Sequence, residues 1–416
     1  MSIDHQYSPT WVERKDNIVL ILVFLLLPIM AQAGGLGIAA IASIGGGLTL
    51  IGLGPSKIIS IVKSAPNAFW VLMLLLVYGL VSSFWSPYQS TRSLPNPMIL
   101  VLGVPLYFLC ARAVIRQSGS SAKWLRRVWI WGTIASAIAI LIDLTTGYAI
   151  SLAVDPVSPG ESFESRRGDV IQNLGHGVAV LTLLFPPVAT ALWQAGAKGR
   201  AASIVLAAII LATGFFAGMS ASMLALCLAL VFMGFVLLKP KIAVGTVHIL
   251  AGLSLLTAPF IAFLSSRLSN AQLAALPFSW EERIHNWRYI YHKILEHPIV
   301  GHGFDAVRTF EDKHSIRGFD DRAIVSLHPH NAGLHIWVEL GLIGISISVL
   351  AIYLSYKTMR RISERNKFFA IAICGTGAAA LTNASLTFGV WQDWWWASII
   401  LAFSVIALIP YTTENI

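Results

Sequence analysis

Long apolar blocks constrain the fold of this chain more than any other feature of its sequence. Almost no ionisable residue interrupts Ile18–Met30, Phe69–Phe84, Val128–Leu144, Ala201–Leu238 or Ala397–Ile409. A bilayer core about 30 Å thick needs roughly 20 apolar residues per helix, and the blocks have this scale. With 56% hydrophobic and 12% charged residues among 416, the chain lacks the charge that covers a soluble domain of this length.

The hydropathy pattern predicts an all-α polytopic membrane protein with about 12 transmembrane helices, forming a single domain over residues 1–416. The first apolar block follows a charged stretch and lacks a small-residue cleavage site, so we interpret it as a helix rather than a signal peptide. We place the spans near residues 17–33, 36–54, 67–84, 97–114, 127–146, 174–193, 200–217, 220–238, 243–265, 331–355, 367–388 and 393–411.

The distribution of positive charge predicts the orientation of these spans. With the amino terminus in the cytoplasm, most of the 29 lysines and arginines fall in cytoplasmic segments, and the short outer loops carry few of them. An even number of spans then leaves both termini in the cytoplasm, as expected for a multi-pass protein of a bacterial inner membrane. The net charge of +9 reflects this topology, and because the basic residues form no single patch, we expect no nucleic-acid partner.

One long outer segment, residues 266–330 between the ninth and tenth spans, concentrates the polar chemistry. It holds seven of the 11 histidines, and we expect the active site in this periplasmic loop. Within it, Trp280–Leu295 has apolar residues at spacings of three and four, which predicts an amphipathic helix with Ser279 as its N-cap. Such a helix is expected to lie along the outer membrane interface and face a lipid-borne substrate.

The segment His328-Pro329-His330-Asn331 stands where the tenth span is predicted to begin. Pro329 restricts His328 to extended geometry and sets the direction in which the chain enters the helix. The positive end of a helix disfavours an imidazolium, so the sequence predicts a neutral His330 that accepts a proton.

Three stretches of this region together resemble the O-antigen ligase superfamily. The superfamily includes lipopolysaccharide O-antigen ligases, some polysaccharide polymerases and protein O-oligosaccharyltransferases. A basic residue four positions before a tryptophan, followed later by a His-Asn pair that opens a span, is the most specific part of the resemblance. The stretches are Arg283-Ile284-His285-Asn286-Trp287, then His297-Pro298 with Gly301-His302-Gly303-Phe304, then His328-Pro329-His330-Asn331 through Glu339-Leu340-Gly341 and Gly344.

The resemblance implies a GT-C-like, metal-independent and inverting glycosyltransferase that needs no cofactor. It implies a glycan donor linked to undecaprenyl diphosphate, with His330 as the base and Arg283 as the residue that binds the donor diphosphate. The chemistry requires both types of residue, because a sugar hydroxyl must lose a proton and a departing diphosphate needs compensating charge. Arginine supplies that charge through paired hydrogen bonds without losing its own proton.

The sequence departs from the superfamily at one element. Many members carry a Ser-Arg-Gly element near the outer end of a middle span, whereas the corresponding stretch here, Met219-Ser220-Ala221-Ser222, contains no arginine. We therefore nominate other residues for the second phosphate contact, namely Arg166, Arg167 and Arg288. Supporting roles are predicted for His328, Asn331, Glu339 and Asp393.

Several alternatives stay open at this point. We favour a ligase with a lipid A-core acceptor, then a polymerase with a lipid-linked glycan acceptor, then a protein O-oligosaccharyltransferase. A non-enzymatic transporter is the rival from another class, but it would need ionisable groups inside the membrane, and here they concentrate in one loop. A zinc site is disfavoured because the loop has neither a His-Glu-x-x-His pattern nor a cysteine.

Overall fold

A computed structural model describes residues 10–90, 96–325 and 327–410, so both predicted cytoplasmic termini lie outside the described residues. Most of the described chain is helical. The α-helices are α1 (Trp11–Gln32), α2 (Leu36–Leu50), α3 (Pro55–Lys63), α4 (Asn67–Ser82), α5 (Asn96–Ile115), α6 (Gly119–Thr145), α7 (Ala149–Val154), α8 (Phe163–Trp193), α9 (Ala197–Phe216), α10 (Ser220–Leu238), α11 (Pro240–Leu256), α12 (Ala258–Ser265), α13 (Asn270–Ala274), α14 (Phe278–Glu296), α15 (Ala332–Ser363), α16 (Lys367–Leu386) and α17 (Asp393–Ser404).

The described helices confirm the all-α polytopic class, but not the count of 12 spans. Eight of them, α1, α5, α6, α8, α9, α10, α15 and α16, are long and apolar enough to cross a membrane. The number rises to 10 if the pair α3 and α4, bent by 90°, and the pair α11 and α12, bent by 59°, each form one span. The helix α2 and the segment Asp393–Leu408 are apolar but shorter.

Helix α8 lies at the centre of the bundle. Of its most apolar stretch, 94% is buried, and it packs against α1, α6, α9, α10, α16 and α17. The outer helices instead leave large apolar side chains exposed, as Leu22, Leu25 and Ile29 do on α1. This arrangement suits a lipid surround, because lipid tails solvate such side chains without cost.

Buried polar side chains join the inner helices. Asn383 on α16 donates through Nδ2 to Thr182 Oγ1 on α8 at 3.0 Å, and Ser222 on α10 donates through Oγ to Asn383 Oδ1 at 3.2 Å. Hydrogen bonds between small polar side chains stabilise helix contacts inside a membrane. The stretch that replaces the superfamily's Ser-Arg-Gly element, Met219–Ser222, therefore takes part in this contact between helices.

Helix α15 is broken at Gly341, whose φ of 60° and ψ of −159° are not helical. The backbone groups freed by the break are bound by the preceding segment 298–303. Four main-chain hydrogen bonds join the two segments: His302 N–H to Val338 O (2.9 Å), Gly303 N–H to Glu339 O (2.8 Å), Leu342 N–H to Pro298 O (2.9 Å) and Ile343 N–H to Ile299 O (3.2 Å). Two of the stretches that carry the family resemblance are thus paired with each other through their backbones.

The loop between α12 and α15 is folded. Its helix α14 confirms the predicted amphipathic helix, although Ser279 is not the N-cap, because the helix begins at Phe278 and Pro277 precedes it. The apolar face of α14, with Ile290 and Ile294, packs on α12 and α15 inside the protein rather than on lipid. The loop also contains a short 3-10 helix and an antiparallel hairpin, which are Ala306–Thr309, β1 (Lys313–Ile316) and β2 (Phe319–Ala323).

We predict that Gly301→Ala destabilises the protein far more than Gly318→Ala. Both glycines have a left-handed backbone, with φ of 71° and 82°, so each alanine costs about 1–2 kcal/mol of backbone strain. A Cβ at Gly301 would in addition meet the Glu339 backbone at 2.3 Å, whereas a Cβ at Gly318 meets nothing within 4 Å. Thermal unfolding of the two detergent-purified variants measures the difference. Equal losses would contradict the packing of this loop against the broken helix.

Candidate active site

The turn that carries His328 and His330 stands immediately before α15. Asn331 is the N-cap of that helix, and its Oδ1 accepts the N–H of Leu334 at 3.0 Å. His330 has a φ of 54°, a left-handed conformation that residues with a side chain rarely adopt. The prediction that a helix begins here is right, and His330 precedes its cap residue.

Helix α14 binds this turn through its own side chains. Trp287 donates through Nε1 to the carbonyl of Pro329 at 2.9 Å, and Asn286 donates through Nδ2 to the carbonyl of His328 at 3.4 Å. The first and third stretches of the resemblance therefore contact each other, because Asn286 and Trp287 of one bind the backbone of the other. The contacts hold the turn against the end of α14 that carries Arg283.

His330 is oriented by one main-chain carbonyl. Its Nδ1 lies 2.7 Å from the oxygen of Thr387, and because a carbonyl only accepts, Nδ1 carries the proton. In the neutral ring Nε2 is then the acceptor, and no described residue forms a hydrogen bond with it. Burial lowers the pKa of His330, and the nearby Arg283 cation lowers it further, while the bond to Thr387 acts in the opposite direction.

Arg283 is a half-buried cation that forms no direct ion pair with a described carboxylate. It donates through Nε to the carbonyl of Leu386 at 3.1 Å and through Nη1 to the carbonyl of Ser279 at 2.8 Å. In the part of the chain that the structure describes, it forms no ion pair, since the adjacent Glu282 is paired with Arg322 at 2.7 Å. Burial lowers the pKa of Arg283 from its very high ordinary value. Its Nη2 binds no described residue, so the guanidinium can still receive an anion.

The two residues meet at the carboxyl end of α16. His330 binds the carbonyl of Thr387 and Arg283 binds the carbonyl of Leu386, which is the preceding residue. Consecutive Cα atoms lie about 3.8 Å apart, so both side chains are held within one short stretch of backbone. The negative end of the α16 dipole also favours a cation at this position. The structure thus brings together a proton acceptor and a cation that are far apart in sequence.

His328 lies behind His330. Its Nδ1 accepts the backbone N–H of His330 at 3.2 Å, its ring centroid is 4.4 Å from that of His330, and it stacks on His335 at 6.3 Å. Burial lowers the pKa of His328 well below the usual histidine value, and the neighbouring imidazoles lower it further. A neutral ring in this position stabilises the left-handed turn at His330.

Glu339, which follows His335 along α15, is fully buried. Its Oε2 accepts the indole N–H of Trp391 at 2.5 Å, and its Oε1 accepts the backbone N–H of Val307 at 3.4 Å and lies 3.3 Å from His335 Nε2. The nitrogen Nδ1 of His335 accepts the N–H of Val390 at 3.2 Å. These contacts connect α15 to the segment between α16 and α17.

The other predicted phosphate contacts have partners of their own. Arg166 is ion-paired with Asp155 and also donates to the carbonyl of that residue at 2.9 Å. Arg167 is paired with Glu164 at 3.3 Å on the protein surface. The structure places neither arginine in contact with His330, and their assignment to the donor stays a prediction.

Arg288 and Asp393 likewise lie in local contacts. Arg288 donates to the carbonyls of Ser265 and Leu268 at 2.6 and 2.8 Å, where it binds backbone oxygens at the carboxyl end of α12. Asp393 accepts the N–H of Trp394 at 2.8 Å at the start of α17. Neither residue contacts Arg283 or the histidine turn, so their predicted roles also remain untested.

Arg308 is a cation of the site that the sequence patterns did not single out. It is exposed, its Nε lies 3.1 Å from Asp305 Oδ1, and it stands over the ring of Tyr88 at 5.9 Å. Its charge is one of those that lower the pKa of His328, which places it within electrostatic range of the histidine turn. The signal was its position five residues after Gly303, which ends the segment that binds the broken helix.

Four of the five remaining loop histidines form two pairs away from this turn, and the fifth, His292, lies against the ring of Tyr291. The ring centroids of His285 and His314 are 5.1 Å apart, and those of His297 and His302 are 4.6 Å apart. Burial lowers the pKa of His285, His302 and His314. Over the described ranges, no group of three or more His, Cys, Asp or Glu residues is arranged to hold a metal ion.

A long apolar cavity of about 1220 Å³ begins beside the histidine turn. At this end it is lined by Ala332, Gly389 and Val390, and it continues between α4, α5, α15, α16 and α17. We call this feature the long cavity. It offers an apolar chain a path that starts next to the site.

These features define a class of protein. Helices long enough to cross a membrane surround a buried central helix, and a folded loop brings an imidazole beside a guanidinium that forms no ion pair with any described residue. The protein is an all-α, multi-pass membrane protein with a candidate site for an anionic group at one membrane face.

Comparison with known proteins finds a family that matches part of the chain. Residues 205–349 match the family described as O-antigen ligase. Candidate polysaccharide ligases of Rickettsia are similar over part of the chain: that of R. conorii is 31% identical over 157 residues, which is 34% of each chain, and that of R. prowazekii is 28% identical over 138 residues, or 31% of this chain and 32% of the relative. The match of this segment to the O-antigen ligase family confirms the resemblance to that superfamily.

The chain matches about a third of the length of these curated relatives. The family match covers both Arg283 and His330, whereas the carbonyls that orient them, on Leu386 and Thr387, lie beyond its last residue. No solved structure matches the chain.

We predict that Arg283→Gln raises the pKa of His330. The wild-type midpoint should lie below the ordinary histidine value of about 6.5, because burial and the adjacent cation both disfavour the imidazolium. Histidine titration by NMR, with the signal assigned through His330→Gln, measures the midpoint. Arg267→Gln is the matched control, since Arg267 is exposed and lies over Phe263. An unchanged midpoint in Arg283→Gln would show that the two residues do not interact.

Proposed function

We propose that the protein is a glycosyltransferase of the O-antigen ligase type, which transfers a glycan from undecaprenyl diphosphate to a lipid A-core acceptor at the periplasmic face of a bacterial inner membrane. The match to the O-antigen ligase family supports an enzyme that acts on polysaccharides. The observation that carries the proposal is the binding of His330 and Arg283 to adjacent carbonyls at the end of α16.

His330 acts as the general base. The acceptor hydroxyl gives its proton to Nε2 while its oxygen forms a bond to the anomeric carbon of the donor. The bond from that carbon to the diphosphate breaks, and undecaprenyl diphosphate leaves with the electron pair. Direct displacement inverts the configuration at the anomeric carbon. This role requires a neutral ring, and the lowered pKa of His330 supplies one at physiological pH.

Arg283 binds the diphosphate of the donor. Its half-buried guanidinium forms no direct ion pair with a described residue and keeps Nη2 free, and charge-assisted hydrogen bonds to phosphate are stronger where water is excluded. Arg308, whose charge acts on His328, supplies the second positive charge that the missing Ser-Arg-Gly arginine would give. The site end of the long cavity receives the polyprenyl chain of the donor.

We predict that His330→Ala and Arg283→Ala abolish glycan transfer while membrane insertion stays intact. Loss of a general base lowers the rate by about 10²–10⁴-fold, so His330→Ala should lower kcat by this factor. Arg283→Ala and Arg308→Ala should raise KM for the donor, because both residues bind its diphosphate. The assay uses purified protein with a lipid-linked donor and a lipid A-core acceptor.

The control for this assay is His292→Ala, which removes an exposed histidine on the opposite side of α14 from the buried residues. Wild-type activity should fall on the acid side at a pH below about 6.5, as the lowered pKa of His330 requires. Full transfer activity in His330→Ala or Arg283→Ala would refute the mechanism.

The acceptor decides between a ligase and a polymerase, which use the same donor. We predict that deletion of the gene removes all long-chain surface polysaccharide, leaves an intact core and accumulates lipid-linked polymer. Gel analysis of the surface polysaccharide with and without the gene shows the difference. Core that carries a single repeat would instead indicate a polymerase.

A further inference from the structure

The end of the long cavity far from the histidine turn is basic. Its lining there includes Ser64, Arg112 and Arg365, whereas most of the remaining lining is apolar. Helix α15 begins beside the histidine turn and ends at Ser363, so Arg365 lies at the membrane face opposite the candidate site. The cavity therefore reaches from the site toward the other leaflet.

The protein binds only some of the hydrogen-bond donors of the Arg112 guanidinium. It donates through Nη2 to Ser64 Oγ at 3.1 Å, while its Nε is buried and has no hydrogen-bond partner among the described residues. No described carboxylate binds it, because Asp16 is paired with Lys15 and Arg116 at 3.1 and 3.3 Å. A buried donor without a partner is unfavourable, so the position favours a ligand that accepts hydrogen bonds.

Arg365 supplies a second charge at the same end. Its side chain is exposed, lines the cavity, and forms no hydrogen bond or ion pair with any residue in the described ranges. Two cations without counter-ions at the entrance of an apolar cavity are complementary to a molecule with an anionic head and apolar chains.

The neighbouring helix α3 fits a membrane surface. It lies at 90° to α4, exposes the apolar residues Ile59 and Val62, and carries Lys57 and Lys63. A short amphipathic helix of this kind lies in the interface between lipid headgroups and acyl chains, and its lysines attract anionic lipids. The entrance of the cavity is thus placed at the level of the headgroups.

We propose that this end of the long cavity binds one anionic phospholipid from the leaflet opposite the candidate site, with the lipid phosphate between Arg112 and Arg365 and its acyl chains in the cavity. The polyprenyl chain of a donor enters from the other end. The site for the phospholipid does not depend on the proposed function, since it needs only the arginines and the apolar lining.

The test measures lipid retained by the detergent-purified, full-length chain in native mass spectrometry, with phosphatidylglycerol or phosphatidylcholine added. Wild-type protein should retain more phosphatidylglycerol than phosphatidylcholine. The double variant Arg112→Ala with Arg365→Ala should bind it at least about tenfold more weakly, equivalent to about 1.4 kcal/mol. Arg361→Ala, which removes an exposed arginine near the same end of α15, should leave retention unchanged.

A second variant and a competitor distinguish binding of the lipid headgroup from binding of the acyl chains. Ala351→Phe keeps both arginines but narrows the apolar lining, and it should also lower retention of phosphatidylglycerol. Glycerol 3-phosphate carries the headgroup phosphate without acyl chains and should not displace the lipid. Equal retention of the two lipids, retention that both variants leave intact, or displacement by glycerol 3-phosphate would each overturn the proposal. Transfer activity is measured separately, so this result and the proposed function can fail independently.

Discussion

The break in α15 at Gly341 is the constraint on which the site depends. Backbone groups inside a membrane protein must find partners within the protein, and a broken helix leaves several of them unpaired. The segment 298–303 binds these groups with four main-chain hydrogen bonds. This pairing fixes the middle of the folded loop to the helix that follows the histidine turn, so the segment after α14 and the turn itself are both held at α15.

A second requirement is that no carboxylate forms an ion pair with Arg283. Such a pair would neutralise the guanidinium and raise the pKa of His330, and both effects would remove the chemistry proposed for the two residues. The loop contains several acidic residues, and basic or phenolic side chains other than Arg283 bind four of them. The pairs are Glu281 with Arg317 (2.6 Å), Glu282 with Arg322 (2.7 Å), Asp305 with Arg308 (3.1 Å) and Asp312 with Tyr289.

The sequence predicted the helical membrane fold, the loop and its amphipathic helix because hydropathy and periodicity are local signals. It missed the bent and short helices, since a run of apolar residues does not reveal where a helix bends. Contacts between residues far apart in sequence could not be predicted either. Arg288 has the charge that a phosphate contact needs, but its guanidinium binds the carboxyl end of α12. Arg308 lies near the histidine turn only because the segment before it binds the broken helix.

The anchors of His330 and Arg283 are main-chain oxygens, and this has a consequence for the way such proteins diverge. Any amino acid presents the same oxygen, so the identities of Leu386 and Thr387 are not themselves constrained by these two hydrogen bonds. What must persist is the place where α16 ends. Relatives of this chain can therefore keep the same arrangement of base and cation while the amino acids at the two positions that orient it differ.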